Sequence, residues 1–143
     1  MKLFTIGFTK TSAEGFFARL SKVGVRALVD VRLNNVSQLS GFAKRDDLRY
    51  FARAICGIRY EHRTELAPTA EMLGEYRAAK DGWKDYADKF LALMVRRRIE
   101  TIDRANLDGG CLLCSEDKPH HCHRRLVAEY LQAKWGDVEI EHL

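Results

Sequence analysis

The sequence has no apolar run long enough to cross a bilayer. Nor does an apolar segment of the signal-peptide kind follow Met1 and Lys2. The expectation is a cytoplasmic protein with no membrane association. Internal repeats, low-complexity tracts and linker-like stretches are also missing, so residues 1–143 read as one α/β domain. Cysteine is too sparse for a disulfide scaffold. Cys56, Cys111, Cys114 and Cys122 in a chain of this size, in a reducing compartment, are expected as free thiols. A large charge excess is absent too. The net charge is +4, too mild to announce a nucleic-acid binder. Residues 1–71 hold 12 Lys and Arg against 7 Asp and Glu, and the remainder 12 against 13. That asymmetry favours an anionic ligand near elements of the first half.

What is present reads as alternating strands and helices. Leu3, Phe4 and Ile6 give a first strand ended by Gly7. Thr11 begins a capping-box pattern with Glu14, and Phe16, Phe17 and Leu20 form the helical stripe behind it. Residues 25–31 are a nearly continuous apolar run, suited to a strand covered on both faces. Strand, helix and strand in so short a span predict a right-handed βαβ unit. Residues 33–44 read as a polar loop. Asp46 or Asp47 is placed to cap a helix with Leu48, Phe51, Ala52 and Ile55 inward, stopped by Gly57. A short strand follows over 58–62. Thr69 caps the next helix, and Asp81-Gly82 separates it from a longer one lined by Trp83, Tyr86, Phe90 and Met94. Arg96 to Arg98 read as a solvated helix end, and residues 138–142 as a closing strand. The whole predicts a mostly parallel sheet of about five strands with helices on both faces, a Rossmann-like three-layer sandwich.

Reactive side chains gather in residues 109–125, which hold three of the four cysteines and three of the five histidines. Gly109-Gly110 breaks the chain before an apolar strand, Cys111 to Cys114. Ser115 to Lys118 is loop chemistry, and Pro119 suits a helix's first turn. His123 precedes Leu126, Val127 and Tyr130 by three, four and seven residues, so it shares their inward face. A thiol at Cys122 in the first turn would feel the helix dipole and nearby cations, which favour thiolate. His120 and His121 read as surface residues.

Ligands of open parallel sheets bind beyond the carboxyl ends of the strands. Three such ends are polar here: Thr5-Ile6-Gly7, Asp30-Val31-Arg32 and Cys114-Ser115-Glu116. With Cys122, His123 and Arg124 they would line one cleft. Asp30 and Arg32 are two apart on a strand and so share a side. Cys111 reads as a core residue. A four-ligand zinc set from Cys111, Cys114, Cys122 and His123 is disfavoured, because residues three apart on a strand face opposite ways and neighbours on a helix diverge. A site of Cys114, Cys122 and a histidine stays open.

The motifs Thr5-Ile6-Gly7, Asp30-Val31-Arg32, Gly57-Ile58-x-Tyr60, Leu113-Cys114-Ser115-Glu116, Pro119-x-x-Cys122-His123-Arg124 and Glu141-His142 together resemble the domain-of-unknown-function 488 family. The resemblance runs in order over nearly the whole chain. It implies that Asp30, Arg32, Cys114, Glu116, Cys122, His123 and Arg124 are the positions to watch, and it implies no reaction. Asn34-Asn35 stand where many relatives carry a proline, and Leu66-Ala67-Pro68-Thr69 replaces a common Leu-Gly-Gly. Both departures fall near the expected cleft mouth, so the substrate is not expected to be uniform across the family.

The leading expectation is an enzyme for a small anion such as a nucleotide or modified base. Arg32 and Arg124 would bind the anion, with Thr5 and Gly7 beside them. Cys122, or alternatively Cys114, would be the nucleophile or redox thiol, His123 the acid–base group, and Asp30 or Glu116 its orienting carboxylate. The alternatives are a module without catalysis, binding nucleic acid or a partner through Lys44, Arg45, Arg49, Arg53 and Arg96 to Arg98, and a zinc-stabilised structural domain. The sequence identifies no cofactor.

Overall fold

The computed structural model describes residues 1–36 and 40–143. Five strands, β1 (Lys2–Gly7), β2 (Ala27–Asp30), β3 (Arg59–His62), β4 (Gly110–Cys114) and β5 (Glu139–His142), pair in the order β3-β2-β4-β1-β5. Every pairing is parallel. The helices are α1 (Ala13–Val23), α2 (Arg45–Phe51), α3 (Ala70–Ala78), α4 (Trp83–Arg97) and α5 (His123–Trp135).

Side-chain alternation along the strands separates two cores. Phe4, Ile6, Leu28, Cys111 and Leu113 pack with Phe16, Phe17 and Leu20 of α1 and Leu48 of α2. Leu3, Val29, Leu112 and Cys114 pack with Phe90, Leu93 and Met94 of α4 and Leu126, Val127 and Leu131 of α5. The expected three layers are there. Cys111 and Cys114 do face opposite cores, as residues three apart on a strand must. The chain leaves β1 and β2 toward the α1/α2 face and leaves β4 toward the α5 face. Strand β4 lies between β2 and β1, so a topological switch opens beside it, at the carboxyl ends of β2 and β4.

Several boundaries differ from expectation, each for a local reason. Ser12, not Thr11, caps α1, its Oγ accepting from Gly15 N at 3.0 Å. Helix α2 starts at Arg45 with no side-chain cap, and Asp46 and Asp47 occupy its first turn, where the dipole favours carboxylate. It continues into a π turn, Ala52–Cys56, which rotates Ile55 outward to 57% exposure. Thr69 does cap α3, accepting from Met72 N at 3.1 Å. Of the three arginines ending α4, Arg97 is not free in solvent but donates to the carbonyls of Thr64, Glu65 and Ala67. Helix α5 begins at His123, later than Pro119 suggested. Of the polar loop expected over 33–44, residues 37–39 (with Ser37 and Gln38) lie outside those described; Gly41–Ala43 form one 3-10 turn.

Candidate functional site

The β2 exit is a buried ionic network. Asp30 is fully buried and Arg32 is 4% exposed. Their guanidinium–carboxylate pairing is two-pronged, Nε to Oδ1 at 2.9 Å and Nη2 to Oδ2 at 2.7 Å. Tyr60 donates its hydroxyl to Asp30 Oδ2 at 2.6 Å, and Asn35 Nδ2 donates to Tyr60 Oη at 3.1 Å. Arg32 also donates to the Ala43 carbonyl at 2.8 Å and lies 5.0 Å over the Phe8 ring. Burial alone would lower the Arg32 pKa, yet its bonds to Asp30 and the carboxylate's charge hold it above the ordinary value. Burial, then the Asp30 charge, pushes the Tyr60 hydroxyl well above its usual range.

The β4 exit and the start of α5 bring two thiols and an imidazole together. Cys114, Cys122 and His123 are all buried, and their ligand atoms lie within 4.8 Å of one another. Cys114 Sγ is 3.6 Å from His123 Nδ1 and 3.8 Å from Nε2. Nε2 sits 2.7 Å from the Val31 carbonyl, an acceptor, so Nε2 carries the proton and Nδ1 its lone pair. Phe90 packs against that ring at 5.4 Å. The expected divergence of Cys122 and His123 does not occur. Cys122 is the N-cap, extended at φ −137 and ψ 135, so helical geometry does not apply to its side chain. The neighbouring Cys122 thiol lowers the Cys114 pKa against the opposing effect of burial; the Ser115 N–H and the Arg124 charge add to this. The Cys114 thiol beside it, with burial, raises Cys122 well above a free thiol. Cys111, on the other face, is pushed far up by burial.

Arg124 is fully buried under the loop that joins β4 to α5. It donates from Nη1 to the Glu116 carbonyl and to Cys122 Sγ, from Nη2 to the Asp117 carbonyl, and from Nε to Thr5 Oγ1. Thr5 Oγ1 is in turn 2.6 Å from His142 Nδ1. The Ser115 carbonyl accepts from Phe8 N, Thr9 N and Thr9 Oγ1, tying the β1 exit to the same loop.

Above the thiols lies a cleft of about 410 Å³, within the range of small-molecule sites. Its floor includes Cys114, Cys122 and His123, and its walls include Arg32, Glu116 and Arg77. Tyr76 and Tyr86, stacked at 4.7 Å, form an aromatic side, joined by His121, itself stacked on Trp83 at 4.9 Å. Of the positions singled out in the sequence, Arg32, Cys114, Glu116, Cys122 and His123 therefore line one space. Asp30 lies behind Arg32, and Thr5, Gly7 and Arg124 lie beneath the loop; none of these four is on the cleft wall. Arg77, Tyr76, Tyr86 and His121 were not singled out as site residues. No local pattern marks the first three, because α3 and α4 reach the strand ends only through tertiary packing; His121, in the loop between β4 and α5, read as a surface residue and is exposed, yet it lines the cleft.

Residues 12–131 match the family described as "Domain of unknown function DUF488". No curated protein and no solved structure matches the chain.

Proposed function

This chain belongs to the DUF488 family, whose description names no reaction, and from its cleft we propose a small enzyme acting on an anionic small molecule, a nucleotide or modified base, with Cys114 as nucleophile. The observation that carries this reading is the packing of Cys114, Cys122 and His123 into the floor of a cleft walled by guanidiniums and aromatic rings. Arg32 and Arg77 hold the anionic group by charge-assisted hydrogen bonds. Tyr76, Tyr86 and His121 offer flat faces to a planar ring. Cys114 is preferred over Cys122 because it is the more open of the two, 7% against 3% exposed, and because its pKa is lowered while that of Cys122 is raised.

The reaction is a hydrolysis in two steps. Cys114 Sγ, as the thiolate, forms a bond to an electrophilic carbon of the substrate, and the leaving group departs with the bonding pair and the Cys122 thiol proton. Water then adds to that carbon as the Cys114–carbon bond breaks. His123 Nδ1 takes the water proton and returns it to Cys122, so one water is consumed and the thiols end as they began. His123 keeps its orientation throughout because Nε2–H is anchored on Val31.

The test is iodoacetate trapping in a Cys56→Ala background, mapped by mass spectrometry, since Cys56 is a half-buried thiol away from the cleft. Cys114 should be carboxymethylated first, Cys111 last, and millimolar inorganic phosphate or a nucleoside monophosphate should slow the reaction. Arg77 is exposed, so Arg77→Ala should leave the melting temperature nearly unchanged while weakening that protection. Loss of one charge-assisted bond, about 1.5–3 kcal/mol, corresponds to roughly tenfold or more in affinity. Labelling that ignores every anion offered would remove the enzyme reading.

A further inference from the structure

Among the described residues, Cys114, Cys122 and His123 form a group of donors close enough to share one ion. Their spacing has a metric signature. Zinc bonds of about 2.3 Å to sulfur and about 2.0–2.1 Å to nitrogen, at a tetrahedral angle, set the sulfur–nitrogen edge at about 3.5–3.6 Å. Cys114 Sγ and His123 Nδ1 stand 3.6 Å apart, and no pair of ligand atoms in the trio exceeds 4.8 Å. We propose that Cys114, Cys122 and His123 bind a single thiophilic divalent cation, zinc above all, and that the bound ion takes the nucleophile out of use.

The surroundings match what such ligands need. His123 donates its other ring nitrogen to the Val31 carbonyl, the outer contact that fixes tautomer and ring angle in metal-bound histidines. Cys122 Sγ accepts from Arg124 Nη1 at 3.5 Å, which supports a coordinated thiolate. Two sulfurs and an imidazole select a soft or borderline ion over magnesium or calcium, which require oxygen donors. All three ligands line the cleft, so the fourth position of a tetrahedral ion opens toward it. Both cysteines coordinate as thiolates, so loading sends any remaining thiol protons to solvent and leaves no free Cys114 to attack carbon. The inhibitory part of this inference rests on the nucleophile reading; the binding part does not.

Cobalt titration of chelator-treated, reduced protein tests it. The expected result is one equivalent bound, with a thiolate charge-transfer band and the visible bands of tetrahedral cobalt. Cys114→Ser and Cys122→Ser should each abolish the charge-transfer pattern or weaken binding at least tenfold, as should His123→Gln. Cys56→Ala should leave it unchanged, and circular dichroism checks each variant's fold. One equivalent of zinc should block carboxymethylation of Cys114 and a chelator should restore it. An octahedral cobalt spectrum, or binding as tight in all three ligand variants as in the parent, overturns the site. Phosphate protection of Cys114 without any cobalt band leaves the enzyme reading standing and ends this one. A cobalt band without phosphate protection does the reverse.

Discussion

Asp30→Ala is expected to destabilise the fold by about 3–5 kcal/mol, the cost of removing one partner from a buried ion pair. For a domain of this size that is a fall in melting temperature of roughly 10–20 °C. The size follows from what the carboxylate does. It is fully buried, it accepts both prongs of the Arg32 guanidinium, and it takes the Tyr60 hydroxyl at 2.6 Å. Without it, a charge 4% exposed keeps, among the described residues, the Ala43 carbonyl and the Phe8 ring as partners. The pair itself carries a desolvation penalty, so removing both charges is far milder than removing one. Asp30→Leu with Arg32→Met should therefore recover most of the lost stability while abolishing phosphate protection of Cys114. Urea unfolding of Asp30→Leu, Arg32→Met and the double closes the cycle. Stability of Asp30→Ala within about 1 kcal/mol of the parent would mean that water reaches this network.

Some of the site was legible because its cause is local. Asp30 and Arg32 share a side through the two-residue period of an extended chain, and that pairing is what the fold contains. The same period separates Cys111 from Cys114. The alternation of strands with capped helices predicts the parallel sheet, and Thr69 caps α3 as its position suggests. What was misread follows from treating 119–123 as already helical. Cys122 is extended, so its thiol turns toward Cys114 instead of away from His123. Arg124 could be expected to reach the cleft only if the loop above it were open. In the fold it lies under that loop and donates to its carbonyls. Arg77 and His121 look in sequence like ordinary polar surface; Arg77 becomes a cleft wall only once α3 packs on α4, and His121 because the loop after β4 turns it over the cleft, where it stacks on Trp83 of α4.

Gly7→Ala should be the most damaging single-methyl change near the site. An added Cβ would land on the Glu116 carbonyl, a backbone group, and 3.0 Å from Arg124 Nη1. Neither neighbour can yield cheaply, because Arg124 is fully buried and itself holds the Glu116 and Asp117 carbonyls. The cause is close approach of β1 to the β4–α5 loop, since Gly7 does not have a positive φ. Overpacking of this kind costs about 1–3 kcal/mol and more where backbone must move. The displaced segment carries Ser115 and Glu116 and leads to Cys122, so the thiol spacing should go with it. Phosphate protection of Cys114 and the cobalt band should both be lost even in molecules that remain folded. Gly74→Ala supplies the opposite sign. It lies within α3 and, among the described residues, nothing beyond its own helix backbone comes within 4 Å of an added Cβ, so alanine there should stabilise by about 0.5–1 kcal/mol. A Gly7→Ala protein that melts with the parent and keeps both signals would mean that the loop stands clear of β1, and the floor of the cleft would have to be redrawn.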